Sequence, residues 1–172
     1  LKNILEDEAK RRKFLNLLKD LLPFVEDASV EKSPDRSLLF TLKEAYSETE
    51  SRYVPAALMS DGTVNVVALI VALYFEKGPI AAIEEPERNL HPSLLSRVVA
   101  MMEEAAENKQ VLVTTQNPEF LKYVDKENLL LVSRARNGIS SIERPAEKEA
   151  VQAFLSEQMG LDELFTQNLL EM

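Results

Sequence analysis

Between Asp61 and Gln116 the chain alternates helix and strand in a way that few folds can hold. The run "VNVVALIVALYF" is apolar almost all the way round, so a helix built from it must be buried on nearly every side. Ser60 or Asp61 can cap its start, and it is expected to run from about Val64 to Glu76 before Gly78 and Pro79 break it. "IAAI" then reads as a short strand. Pro92 suits the first turn of a second helix, on which Leu94, Leu95, Val98, Val99 and Met102 form one stripe. "QVLVTT" is the next strand. Strands alternating with helices predict a parallel α/β sheet, and ligands of such sheets bind beyond the carboxyl ends of the strands. Three chemically loaded segments fall at such ends or at helix starts: "SDGT" from Ser60, "EEPE" from Glu84 and "TTQN" from Thr114.

The flanks are simpler. Residues 3–22 read as a helix with Leu15, Leu18 and Leu22 at helical spacing and Pro23 as its stop. "ASVEKS" and "SLLFTLKEAYS" are strand-like, with the turn signal "PDRS" between them. Residues 46–57 read as polar and then irregular. Asn137 and Gly138 predict a β-hairpin near 129–143. A helix is expected near 146–159, stopped by Gly160, and "LDELF" forms a short segment after it.

At 172 residues the chain is expected to be one domain. With no cysteine it has no disulfide framework and no thiolate metal site, which suits a reducing, cytoplasmic setting. No apolar run approaches the roughly 20 residues of a membrane span, and the charged first residues do not read as a signal peptide. The start at Leu1 rather than Met reads as that of a fragment or a processed piece. A net charge of −9 gives no general attraction for nucleic acid, and the basic cluster Lys10–Lys13 reads as a solvated helix face.

Glu84 and Glu85 close an apolar strand with two adjacent carboxylates. Neighbouring side chains in a strand point to opposite faces, so the pair is unsuited to chelating one ion together. Separate roles fit better, one carboxylate holding a Mg²⁺ and the other orienting a nucleophilic water. "MSDGT" offers a small turn before a buried helix, where free N–H groups and the helix dipole favour an anion, although a plain N-cap explains the same residues. Glu87 and His91 are four apart, but Pro92 places them in a loop, and a lone histidine without cysteine does not make a zinc site. His91 is expected to make hydrogen bonds within that loop. None of the four glycines, Gly62, Gly78, Gly138 and Gly160, lies in the phosphate-binding pattern G-x-x-x-x-G-K-[ST].

Taken together and in order, these segments resemble the C-terminal portion of an ATP-binding-cassette ATPase of the SMC/RecF/OLD-like branch. "MSDGT" (Met59 to Thr63) looks like the signature motif, "IAAIEE" like Walker B with its catalytic glutamate, "PERNLHP" like the D-loop region, and "VLVTTQNPEFL" like the switch segment. The tail "MGLDELFTQNLL" resembles a segment near the end of related ATPases. The strong match spans about residues 58–121.

The resemblance implies an α/β, P-loop NTPase-like lobe with a mainly parallel sheet flanked by helices. Residues 1–57 would precede the signature, 58–143 would form the core and 144–172 a helical tail. Glu84 takes the Mg²⁺-linked Walker B position, and Glu85 the position that polarises the attacking water. Ser60, Asp61, Gly62 and Thr63 would meet the γ-phosphate of ATP held by a partner subunit, and Asn89 to His91 would couple the two sites of a homodimer. Gln116 stands where the switch histidine is usual; it can hydrogen-bond a phosphate but cannot carry a proton. ATP and Mg²⁺ are expected to bind only with an N-terminal lobe carrying Walker A. A link to DNA or RNA transactions, repair or defence rests on the resemblance alone, and no membrane partner is expected. Two other readings remain open: a nucleotide-gated dimerisation module with little hydrolysis, and an unrelated metal nuclease built on Glu84, Glu85 and Glu87.

Overall fold

The computed structural model describes residues 1–32, 37–45, 53–149, 151–152 and 159–171. They form two compact units, Leu1–Thr114 and Thr115–Met172.

The first unit opens with two helices where the sequence predicts one. α1 (Lys2–Glu6) and α2 (Glu8–Leu21) are separated by Asp7, whose backbone is extended and whose carboxylate accepts the Lys10 N–H at 3.0 Å. An aspartate caps a helix better than it continues one, so the run is cut there. α2 buries Phe14, Leu18 and Leu21, while Leu15 is only half-buried. Of the basic cluster on α2, Lys10, Arg12 and Lys13 are exposed and Arg11 is half-buried. Lys10 pairs with Asp7, Arg11 with Asp27, and Lys13 stacks over the Tyr74 ring.

β1 (Val25–Lys32), β2 (Leu38–Glu44) and β3 (Tyr53–Pro55) form an antiparallel sheet in that order. The expected turn at 33–36 and the polar stretch 46–52 lie outside the described residues. A single 3-10 turn, Ala56–Leu58, leads to α3 (Asp61–Tyr74).

α3 buries Val66, Val67, Leu69, Ile70 and Leu73. The carbonyl of Ala72 in its last turn and that of Glu76 just beyond its end accept from the Lys109 ammonium at 3.1 and 2.8 Å, a cation at the negative end of the helix. β4 (Ile80–Glu84) pairs in parallel with β5 (Gln110–Thr114), from Ile80 opposite Gln110 to Glu84 opposite Thr114. Between them Pro92 starts a 3-10 turn that runs into α4 (Leu95–Ala106). α4 buries Leu95, Val98, Val99, Met101, Met102 and Ala105, one continuous stripe. The expected parallel sheet is therefore a pair of strands, and the larger sheet is antiparallel.

One face of the parallel pair is left open by the described residues. Ile80 is 59% exposed and Leu112 51%, and Ala82 lies on the same face. Parallel strands are ordinarily buried on both faces.

The second unit has a core of Leu121, Val151, Leu161, Leu164 and Leu170. α5 (Pro118–Leu121) and α6 (Leu161–Thr166) supply most of it. β6 (Leu131–Arg134) and β7 (Ser140–Glu143) form the expected hairpin, with Gly138 at φ 84° in its turn. Where a helix is expected near 146–159, a 3-10 turn at Pro145–Glu147 ends at an extended Lys148, and Glu149, Val151 and Gln152 are helical; residues 150 and 153–158 lie outside the described residues.

Candidate functional site

The site is built where β4 ends. Glu84 is the last residue of the strand and is exposed on the open face, two residues on from Ala82. Glu85 follows with φ 42°, a left-handed conformation that only glycine adopts without cost. Its N–H donates to the Thr114 carbonyl at 2.8 Å, which extends the parallel ladder by one bond beyond the strand. Non-glycine residues are held left-handed only where the surroundings over-determine them, and such positions cluster at functional sites.

The chain then turns back. Arg88 N–H donates to Glu85 O at 2.9 Å and Leu90 N–H to Glu87 O at 3.0 Å, with Asn89 at φ 61°. Glu87 is buried at 8% exposure, so it faces the protein, in contrast to Glu84. The turn rests on the start of α3. A β-carbon on Gly62 would collide with the Asn89 carbonyl oxygen, so this position needs glycine for close approach. Asn65 Nδ2 donates to the Arg88 carbonyl at 2.8 Å.

Ser60 is the N-cap of α3. Its Oγ accepts the Thr63 N–H at 3.2 Å and lies 2.9 Å from Thr63 Oγ1. When Thr63 donates in that contact, the Ser60 hydroxyl proton is left to point elsewhere. Asp61 is exposed in the first helical turn, and Thr63 is buried. The His91 Nδ1 accepts from Ser93 N–H at 3.3 Å and lies 2.8 Å from Ser93 Oγ, so His91 caps the turn that begins α4. Gln116 is exposed and belongs to the second unit, between Thr115 and the Asn117 that caps α5.

The structure thus brings Gly62 and Asn89 into contact and joins Glu85 to them through one turn. Asn65 was missed by motif reasoning. Its signal is an amide inside a run of apolar residues from Val64 to Leu73.

A Mg²⁺ ion takes oxygen ligands, keeps several waters, and commonly binds through one or two carboxylates plus substrate phosphates. The exposed Glu84 carboxylate fits that requirement. No group of three His, Cys, Asp or Glu side chains that could hold an ion by themselves occurs among the described residues.

The family model described as "AAA domain, putative AbiEii toxin, Type IV TA system" matches residues 3–122, well over half of the chain. The chain belongs to this AAA domain family. Solved structures with the same fold are SMC ATPase heads. One, titled for ATP-driven dimerisation and DNA-stimulated activation of SMC ATPases, is 15% identical with a TM-score of 0.55, covering 92% of this chain and 98% of its own. The Smc head of Pyrococcus furiosus, solved with the C-terminal domain of ScpA, is 19% identical with a TM-score of 0.62, covering 87% of this chain and 37% of its own. The Smc head of Pyrococcus yayanosii is 21% identical with a TM-score of 0.61, covering 86% and 28%. No curated protein matches in sequence.

This AAA domain chain is an α/β module of the P-loop ATPase type, and it spans under half the length of the two Pyrococcus heads. Membership makes a nucleotide the ligand class to consider, with Mg²⁺ as its companion ion. No helix among the described residues is long and apolar enough to cross a membrane.

Proposed function

We propose that the chain is the C-terminal lobe of an ATP-hydrolysing head, completed by an N-terminal lobe that carries the phosphate-binding loop. The observation that carries this reading is the turn from Glu85 to Asn89: a left-handed glutamate at the tip of a parallel strand, locked against the glycine of the "SDGT" segment. The uncovered face with Ile80 and Leu112 supports a further protein layer on the β4–β5 pair, which is where the missing lobe would add.

In this reading Glu84 holds the ion, directly or through water, and Glu85 accepts a hydrogen bond from the attacking water and orients it. The ion supplies neutralisation of phosphate charge. Ser60 Oγ donates to the γ-phosphate of a nucleotide bound by a second head, assisted by Asp61, Gly62 and Thr63 at the positive end of α3. Asn89 and His91 lie on the loop that would reach that second head. Gln116 donates its amide to phosphate and leaves proton transfer to water. Catalysis here is positioning and charge stabilisation. Head-to-head dimerisation and control of a DNA or RNA transaction come from the likeness to SMC heads; the −9 charge itself draws no nucleic acid.

The test is steady-state ATPase activity of the complete protein and of its Glu85→Gln variant. A measurable rate that falls by about 10²-fold or more on substitution is expected. Equal, near-zero rates with nucleotide-dependent dimerisation would instead favour a binding module, the reading that Gln116 motivates. The metal-nuclease reading has less support, because Glu87 turns inward while Glu84 is exposed.

A further inference from the structure

Asn65 lies one turn along α3 from Gly62, and the two residues share a helix face. From that face they touch consecutive peptides of the turn. Asn65 Nδ2 donates to the Arg88 carbonyl at 2.8 Å, and Gly62 lies against the Asn89 carbonyl. Arg88 N–H donates to Glu85 O at 2.9 Å, and Glu85 N–H donates to Thr114 O at 2.8 Å. Three hydrogen bonds therefore run from α3 through the peptides of Arg88 and Glu85 to the tip of β5. The segment they span contains two left-handed residues, Glu85 and Asn89, whose conformations need outside support.

We propose that Asn65 is a positioning residue that holds the Glu85–Asn89 turn and through it sets the backbone of Glu85. This rests on the role proposed above for Glu85 and extends it to a residue that acts on Glu85 through the turn. A carbonyl can only accept, so the contact requires a donor at position 65. Leucine there would keep the volume and lose the bond. Aspartate would place an acceptor against an acceptor. Glutamine would keep the amide on a longer arm.

The test combines kinetics of the complete protein with hydrogen exchange of this chain. Asn65→Leu should lower kcat about tenfold, about 1.4 kcal/mol of barrier, and leave the KM for ATP within about twofold. Asn65→Gln should recover part of the loss and Asn65→Asp none. Exchange of the Arg88 and Leu90 N–H groups should quicken in Asn65→Leu while that of Val67 to Ile70 stays unchanged. Unchanged kcat with unchanged exchange in the turn would overturn the proposal. So would faster exchange throughout α3, which would mark a merely structural residue. If the wild-type protein has no ATPase activity, the proposed function fails, and the exchange measurement alone decides whether Asn65 holds the turn.

Discussion

Gly62 lies so close to Asn89 that a β-carbon on it would collide with the Asn89 carbonyl oxygen. Two effects compete on substitution. Alanine is favoured over glycine in a helix by up to about 1 kcal/mol. Forcing a methyl group into a filled contact costs about 1–3 kcal/mol. The obstacle is backbone, which cannot swing away as a side chain tip can. Gly62→Ala is therefore expected to destabilise the chain by about 1 kcal/mol in urea unfolding, and to lower ATPase activity of the complete protein. A more stable Gly62→Ala variant would mean that the loop is not held where described.

Glu85 sits at φ 42°, where a side chain costs about 1–2 kcal/mol relative to glycine. Glycine gives back part of that, roughly 0.5–1 kcal/mol, through the freedom of the unfolded chain. Glu85→Gly should then raise stability by about 0.5–1 kcal/mol while abolishing hydrolysis, whereas Glu85→Gln should leave stability unchanged and also abolish hydrolysis. Denaturant midpoints of the two variants, measured beside ATPase rates, check this. Loss of stability in Glu85→Gly would show that the carboxylate is held by favourable contacts instead of being maintained under strain.

The parts of this site that were legible in the sequence are those whose chemistry is local. Ser60 before an apolar run, Pro92 at a helix start and Asn137-Gly138 in a hairpin each depend on residues within one turn of chain, and the structure places each accordingly. The split at Asp7 was missed because the helix was read from Leu15, Leu18 and Leu22, all C-terminal to it, and a single cap ended the run before them. The left-handed Glu85 and the Asn65–Arg88 bond were not legible. Both arise from residues 23 or more positions apart in sequence, Asn65 with Arg88 and Glu85 with Thr114. The open face of β4 was also invisible, since an apolar strand reads the same whether its second face is covered within the chain or by another lobe.

Tyr74 ties α3 to α4, its hydroxyl donating to Glu104 at 2.6 Å. Burial, followed by that hydrogen bond and the negative charge of Glu104, raises its pKa well above the usual tyrosine value of 10.0. A group whose folded pKa is raised gives stability that is present below the unfolded pKa and is lost as pH rises toward the folded one. The contribution of Tyr74 should therefore be constant through neutral pH and decline above about pH 10. In an ultraviolet titration one tyrosine should ionise far later than an unperturbed one, and Tyr74→Phe should remove that late component. A Tyr74→Phe titration curve missing an ordinary component instead would rule out the Tyr74–Glu104 bond.

Ile80 and Leu112 separate stability from assembly. Each is more than half exposed, so little apolar area is withdrawn from water around it within the described residues. Exposed substitutions of this kind ordinarily change stability by no more than about 0.5 kcal/mol. Ile80→Thr keeps a β-branched side chain and Leu112→Thr introduces one, so both suit a strand and should fall in that range in this chain. If an N-terminal lobe covers the face, each residue would become buried on assembly, and full burial of such a side chain is worth about 1.5–3 kcal/mol. The double variant should then weaken association of this chain with a separately produced N-terminal lobe by about 10²-fold or more, read by titration calorimetry. Unweakened association would place the lobe elsewhere and leave the apolar face to another partner. A double variant that unfolds would show that the face is already covered within the chain.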